Sequence, residues 1–291
     1  MPTGAAMVWQ RPQNPVDSGY RKVHTTAATG AGVSETELMT KLSVNVNKVA
    51  LLRNTRLHGI PSVTGASRTA IEAGAYGITV HPRPDQRHIT PGDVDDLAEM
   101  LRDYPEIEYN IEGNPFHQVM DIVRKVRPTQ ATLVPDDPNA FTSDHGWDVK
   151  ANAERLKPII AELKDLGCRV SLFMDADLDQ IERVPDIGAD RIELYTEPYA
   201  VAFSEGPEQM QPVLSSFARA AEHAHEIGLG VNAGHDLNLD NLAVFCGTVP
   251  NVLEVSIGHA LVADALDMGL KNAVGAYLDE LEKAKTISTS T

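Results

Sequence analysis

Cysteine is almost missing from this chain: 291 residues hold only Cys168 and Cys246. Two thiols cannot build a disulfide framework, so a reducing cytoplasm is the expected compartment. Aromatic residues are scarce too, at 5%, and the core must rest on Val, Ile, Leu, Ala and Met. No run approaches the ~18 apolar residues that span a bilayer. Positive charge is in deficit, since 25 Lys and Arg against 41 Asp and Glu leave a net charge of −16. Such a surface repels phosphate backbones and anionic lipid, which argues against nucleic acid or a membrane as partner. A small anionic substrate in a local cationic pocket remains compatible with it. The other figures, 42% hydrophobic and 23% charged, are those of an ordinary soluble domain.

Residues 1–40 lack a sustained apolar period and carry Pro2, Pro12 and Pro15, so they read as a mobile extension. Ser34 and Glu37 have the spacing of a capping box, which allows a short helical turn there. From residue 41 to 286 one pattern repeats: a short Val/Ile/Leu-rich run, a loop, then an amphipathic stretch. Strands are expected at Leu42–Asn47, Gly77–His81, Ile107–Glu112, Ala131–Pro135, Arg169–Met174, Arg191–Tyr195, Leu229–Ala233 and Val252–Ile257. Helices are expected between them, with a final one over Leu261–Lys283 broken at Gly269 and a short tail at 287–291. Gly74, Gly167, Gly188 and Gly228 sit between a helical stretch and a strand, where a left-handed C-terminal residue is needed. Strands alternating with helices imply parallel pairing through right-handed crossovers. Eight units in this length fit an α/β fold of the (β/α)8 TIM-barrel class, with extra helices. A doubly wound open sheet is disfavoured because no G-x-G-x-x-G follows the first strand.

Chemistry in such a barrel sits at the C-terminal strand ends. Here those ends carry Asn45 to Lys48, His81, Glu112, Asp175 to Asp177, Glu193 with Tyr195, Asn232 to His235, and Ser256 to His259. The strand middles are expected to be apolar. His81, Glu112 and His235 are the acid/base candidates, because histidine titrates near neutrality and a desolvated carboxylate can act as base. Each also has an ordinary structural role open to it: His81 as a strand terminator, Glu112 as a partner for Arg83, Asp177 as a helix cap. Glu193 alternates with Ile192 and Leu194, so it is buried and unusual only if it points into the barrel. Lys48 has the position of a Schiff-base lysine, though a surface lysine is commoner there. Gly234 and Gly258, with a helix starting near His259, suggest a phosphate site at a helix N-terminus. Arg56, Arg83 and Arg87 on the opposite side suggest a second one. Acid/base groups between two anion pockets suit two phosphorylated small-molecule substrates.

Several stretches together resemble the pyridoxine 5′-phosphate synthase family of vitamin B6 biosynthesis, over about Leu42 to Lys283. The most specific is Gly77-Ile-Thr-Val-His81-Pro-Arg83-Pro-Asp-Gln-Arg87-His88-Ile89. Others are Val44-Asn45 through Leu52-Arg53-Asn54, Leu133-Val134-Pro135, Ser171 through Asp177, Val231 through His235, and Ile257-Gly258-His259-Ala260. The resemblance implies a (β/α)8 barrel with extra helices, assembled as a homo-octamer. It implies a transferase-type condensation of 3-amino-2-oxopropyl phosphate with 1-deoxy-D-xylulose 5-phosphate, giving pyridoxine 5′-phosphate, inorganic phosphate and water, with no cofactor or metal. It implies that His81 and Glu112 accept protons, His235 donates one and Glu193 stabilises the transition state. Asn45, Arg56, Asp236, Gly258 and His259 match positions around the aminoketone phosphate, and Asn47, Lys48, Arg83, His88 and Thr142 those around the deoxyxylulose phosphate. The loop from Asp136 to Trp147 resembles a lid. The family usually has Asp-His where this chain has Asn47-Lys48, and Gly where it has Asp236. Two other readings stand beside this one: a metal-dependent lyase or hydrolase using His81, Glu112, Asp175 and His235 as ligands, and a sugar-phosphate binder without activity.

Overall fold

A computed structural model describes residues 39–137 and 142–288 of the chain. The expected extension, with its capping-box spacing, thus lies outside the described residues up to position 38, as do 138–141 of the loop after the fourth strand and 289–291 of the tail.

Eight parallel strands close into one barrel in chain order. They are β1 Lys41–Asn45, β2 Gly77–Val80, β3 Glu108–Gly113, β4 Gln130–Leu133, β5 Arg169–Met174, β6 Arg191–Tyr195, β7 Gly230–Gly234 and β8 Val252–Ile257. Around them run α1 Asn47–Asn54, α2 Val63–Glu72, α3 Pro91–Leu101, α4 Val119–Val126, α5 Val149–Asp165, α6 Leu178–Ile181 and α7 Val184–Ile187. The ring is completed by α8 Glu197–Glu205, α9 Pro207–Glu226, α10 Leu242–Thr248, α11 His259–Met268 and α12 Leu270–Ser288. The (β/α)8 architecture is as expected, with α12 packed along α10 and α11. The glycines at 74, 167, 188 and 228 all have positive φ, from 85 to 108°. Gly269, at φ 83°, divides the last helical stretch in two.

Two helices were not expected. The strand run read as Leu42–Asn47 stops at Asn45, whose side-chain Oδ1 accepts the Asn47 N–H at 3.0 Å and turns the chain into α1. The other is α8, which follows β6 directly and carries Pro198 in its first turn, where a missing N–H costs nothing.

One expectation fails: the strand middles are not apolar. Ser43, Thr79, Asn110, Thr132, Ser171, Glu193, Asn232 and Ser256 are all buried within the strands. Ser43 bonds Thr79 at 2.7 Å, Asn110 donates to Thr79 at 3.3 Å, and Thr132 donates to Asn110 at 3.0 Å, so these side chains form a bonded chain across β1 to β4 inside the barrel. Below them Arg169 pairs with Glu108, and Arg169 and Arg191 each approach Glu254 at 3.7 Å. The reason is the two-residue period. Leu42, Val44, Ile78, Val80, Val170 and Leu172 occupy the alternate, outward positions and bury themselves under the helices. The hydrophobic core is therefore the layer between strands and helices, and polar groups replace much of the usual branched aliphatic filling of a barrel. Some of them are bonded and some, such as Ser171 Oγ, are buried without a hydrogen-bond partner among the described residues.

Candidate active site

The C-terminal ends of the strands bring His81, Glu112, Glu193 and His235 to one mouth. His81 follows β2, and its backbone N–H donates to Asn47 Oδ1 at 2.9 Å. Its ring lies between two carboxyls: Nδ1 is 3.8 Å from Glu112 Oε2, and Nε2 is 3.6 Å from Asp136 Oδ2. Burial lowers the imidazole well below its ordinary range, with Arg83 and His88 pushing the same way, so at neutral pH the ring is uncharged and can accept a proton. Glu112 moves oppositely. Burial raises it well above the carboxylate range, and the nearby Glu193, Glu254 and Asp136 add to the rise.

Glu193 points into the barrel and is 2% exposed, which decides the sequence alternative in favour of the unusual case. Burial, helped by Glu254, lifts its carboxyl to about 8, so it carries its proton at neutrality and can donate a hydrogen bond. Its Oε1 lies against the backbone of β7, where a methyl group at Gly234 would overlap it. The glycine is thus required by a close approach. Gly234→Ala is expected to dislodge the Glu193 carboxyl and to destabilise the fold by about 1–3 kcal/mol, the usual cost of overpacking. Thermal denaturation of the variant checks this, and an unchanged melting curve would show that the space is not tight.

His235 sits at φ 78° and Asp236 at φ 55°, two successive left-handed residues at the end of β7. Thr196 pins this turn by donating to the Gly234 carbonyl at 2.7 Å and to that of His235. The His235 ring packs against Phe173 at 5.2 Å and Tyr195 at 5.4 Å between centroids. Desolvation lowers its imidazole, Asp236 opposes the shift, and Lys48 adds to it. With Val134, the two aromatic rings form a small apolar cluster of their own at the mouth. Sequence reasoning missed this box. The signal was Phe173 and Tyr195 at inward-facing positions of β5 and β6, one place above Ser171 and Glu193.

Two sets of groups whose chemistry suits an anion flank these residues. On one side α11 begins at His259, with Gly258 preceding it and no side chain capping it. Asn45 lies against Gly258, 3.1 Å from where a Cβ would be. On the other side are Arg83 and His88, both buried. His88 Nδ1 accepts the Ile89 N–H at 2.9 Å, which leaves Nε2 to carry the proton as a donor. Burial, then Lys48 and Arg83, lower His88 to about 4, so it acts uncharged. The loop holding both residues is clamped from α1. Asn54 donates to the His88 carbonyl at 2.7 Å, and Arg53 pairs with Asp93 at the start of α3.

Comparison with known proteins fits this geometry. Residues 42–283 match the family described as "Pyridoxal phosphate biosynthesis protein PdxJ". The chain belongs to this family. It is 56% identical over 246 residues to the pyridoxine 5′-phosphate synthase of Albidiferax ferrireducens, covering 83% of this chain and 97% of that one. It is 55% identical over 248 residues to the enzyme of the same name from Xanthomonas campestris, covering 83% and 96%. Among solved structures, KGPDC from Streptococcus mutans aligns with a TM-score of 0.57 at 12% identity, covering 84% of this chain and 99% of that one. That likeness shows the barrel fold alone.

Within the PdxJ-family barrel the remaining positions lie as follows. Asn47 Oδ1 accepts the His81 N–H, and its Nδ2 makes no hydrogen bond among the described residues. Lys48 is half-buried in the first turn of α1. Arg56 is exposed on the connection between α1 and α2; its backbone N–H donates to the Arg53 carbonyl at 3.2 Å, and its guanidinium makes no hydrogen bond or ion pair among the described residues. Asp236 is exposed, and its carbonyl accepts from Asn241 at 3.2 Å. Thr142 is exposed in the loop after β4. That loop is anchored further on: Trp147 donates from its backbone to Phe173 and from its ring to Leu133, at 3.0 and 2.9 Å. Asp177 caps α6 by accepting from Asp179, as its structural reading expected. Among the described residues, no three His, Cys, Asp or Glu converge as a metal-ligand set.

Proposed function

We infer that this chain is a pyridoxine 5′-phosphate synthase, joining 3-amino-2-oxopropyl phosphate to 1-deoxy-D-xylulose 5-phosphate. The observation that carries the reading is membership of the PdxJ family over 42–283, with four titratable groups gathered at one barrel mouth. The barrel over 41–286 is the unit to which we assign the activity, and the homo-octamer and the cytoplasm are the assembly and compartment we expect. Among the described residues no helix is long and apolar enough to cross a membrane.

The chemistry suits the site. Closing the pyridine ring makes one carbon–nitrogen and one carbon–carbon bond and releases phosphate and water. Atoms balance without an oxidant, so the work is proton transfer and anion binding. In our reading His81, uncharged and flanked by carboxyls, takes protons from the condensing carbons. Glu112, raised well above the carboxylate range by burial, is the second proton carrier, beside His81 Nδ1. Glu193, protonated, donates a hydrogen bond to oxygen that gains charge in the transition state. His235 protonates a leaving group, since bound phosphates raise its affinity for a proton. The N-terminus of α11 with Asn45, Gly258 and His259 receives the aminoketone phosphate, with Arg56 and Asp236 near it. Arg83 and His88 receive the other, with Asn47, Lys48 and Thr142 beside them.

Incubating the purified protein with both substrates and following the pyridoxine chromophore tests the reading. No product from correctly folded protein would overturn it, and stoichiometric zinc or manganese in the preparation would favour the metal-dependent alternative. A finer check concerns Asp236. It adds a negative charge next to the site, and its left-handed backbone suits glycine equally well. Asp236→Gly should tighten binding of inorganic phosphate about 3- to 10-fold at low salt, as expected for one screened charge nearby. Isothermal titration measures this, and unchanged or weaker binding would place the Asp236 charge away from the anion.

A further inference from the structure

A histidine that accepts a proton does so at only one nitrogen, the one that is not already an N–H. Both nitrogens of His81 face carboxyls, and the two carboxyls differ. Asp136, three residues beyond the end of β4, is 5% exposed, and its Oδ2 lies 2.7 Å from Arg83 Nη1. The pair is clamped on several sides. Arg83 Nη2 donates to the Asp137 carbonyl at 3.0 Å, Asn114 to the Asp136 carbonyl at 3.0 Å, and Gln118 to the Arg83 carbonyl at 2.9 Å. Burial raises the Asp136 carboxyl from its ordinary value, Arg83 and then His117 oppose the rise, and the guanidinium in direct contact favours the carboxylate form. Glu112, on the other side of the ring, shares the barrel interior with Glu193 and Glu254 and keeps its proton. The remaining charged or titratable groups that act on His81 are Arg83, Arg87, His88 and His235. None of those is an acid, so Asp136 supplies the negative charge nearest the ring.

We propose that Asp136 is a positioning residue for His81: its carboxylate draws the ring proton to Nε2, and Nδ1, on the Glu112 side, is the nitrogen that accepts protons. At 3.6 Å the two groups are not hydrogen-bonded, and the carboxylate acts through its field on the ring. When Nδ1 takes a proton, the same carboxylate stabilises the imidazolium, and the proton is returned from Nδ1. Asp136 also holds the Arg83 guanidinium, so it ties the base to one anion-binding residue. The inference deepens the synthase reading and rests on it for the use of His81 as a base.

Neutron diffraction from crystals of the full chain exchanged into D2O tests the assignment directly. Deuterium on Nε2 and none on Nδ1 is the expected result, and deuterium on Nδ1, alone or with Nε2, overturns it. This readout needs neither substrate nor variant, so it stands apart from whether the wild-type protein makes product. Kinetics then test the positioning role. Asp136→Asn should lower kcat about 10- to 100-fold, Asp136→Glu should restore most of it, and Asp136→Asn should add nothing in a His81→Ala background. Additive losses, or a change confined to the KM of the sugar phosphate, would assign Asp136 to Arg83 alone.

Discussion

Replacing His235 by asparagine is expected to lower turnover by roughly 10²–10⁴-fold while leaving the binding of each substrate nearly unchanged. The substitution is chosen for its backbone. Position 235 has φ 78°, a left-handed conformation that asparagine adopts more readily than most residues, so the turn survives. The amide also keeps polar atoms between Phe173 and Tyr195, whose rings pack on the imidazole. What is lost is the ability to gain and give up a proton. A histidine that merely shaped the loop would show the reverse pattern, with weaker binding and turnover largely kept. Titration calorimetry of each substrate beside steady-state rates separates the two. Full turnover in His235→Asn would remove this residue from the mechanism and leave His81 and Glu112 as the proton carriers.

Glu193→Gln should reverse the usual expectation for a buried charged residue and make the protein more stable in alkali. The Glu193 carboxyl titrates at about 8 in the folded chain against an ordinary value of 4.5. Between those values the unfolded chain has lost this proton and the folded chain has kept it. Stability therefore falls as pH rises from about 4.5 to about 8 and levels off above that. Glutamine has no proton to lose, so the variant escapes this cost, which amounts to a few kcal/mol by order of magnitude. Melting temperatures of the two proteins should nearly coincide at pH 5 and diverge by several degrees at pH 9, with the variant higher. Glu254, raised to about 7 chiefly by burial, is present in both proteins and gives each a slope of the same sign. Parallel pH dependence of the two melting temperatures would show that Glu193 is ionised in the folded state.

Much of this protein was legible in its sequence. Short runs with a two-residue period, separated by glycine-ended helical stretches, determined the parallel barrel, because a strand followed by a helix can return to the sheet in only one hand. The same rule pointed to the strand ends and so to His81, Glu112 and His235 as acid/base candidates, while the face taken by Glu193 stayed open. The polar interior was also written there: Leu42-Ser43-Val44-Asn45 and Ile78-Thr79-Val80-His81 alternate strictly. It was misread because the outward residues alone make each run look hydrophobic.

What only the tertiary structure decided are the meetings between distant segments. Asp136 reaches His81 and Arg83 across more than fifty residues of chain. The Glu193 carboxyl fits against Gly234, and Phe173 and Tyr195 enclose His235. Whether Glu193 faced inward depended on the register of β6 against β5 and β7. The physical reason is common to all of them. Local spacing specifies which face a side chain takes, but the stagger of a closed barrel sets which side chains share a layer, and that stagger is a property of the whole ring of strands.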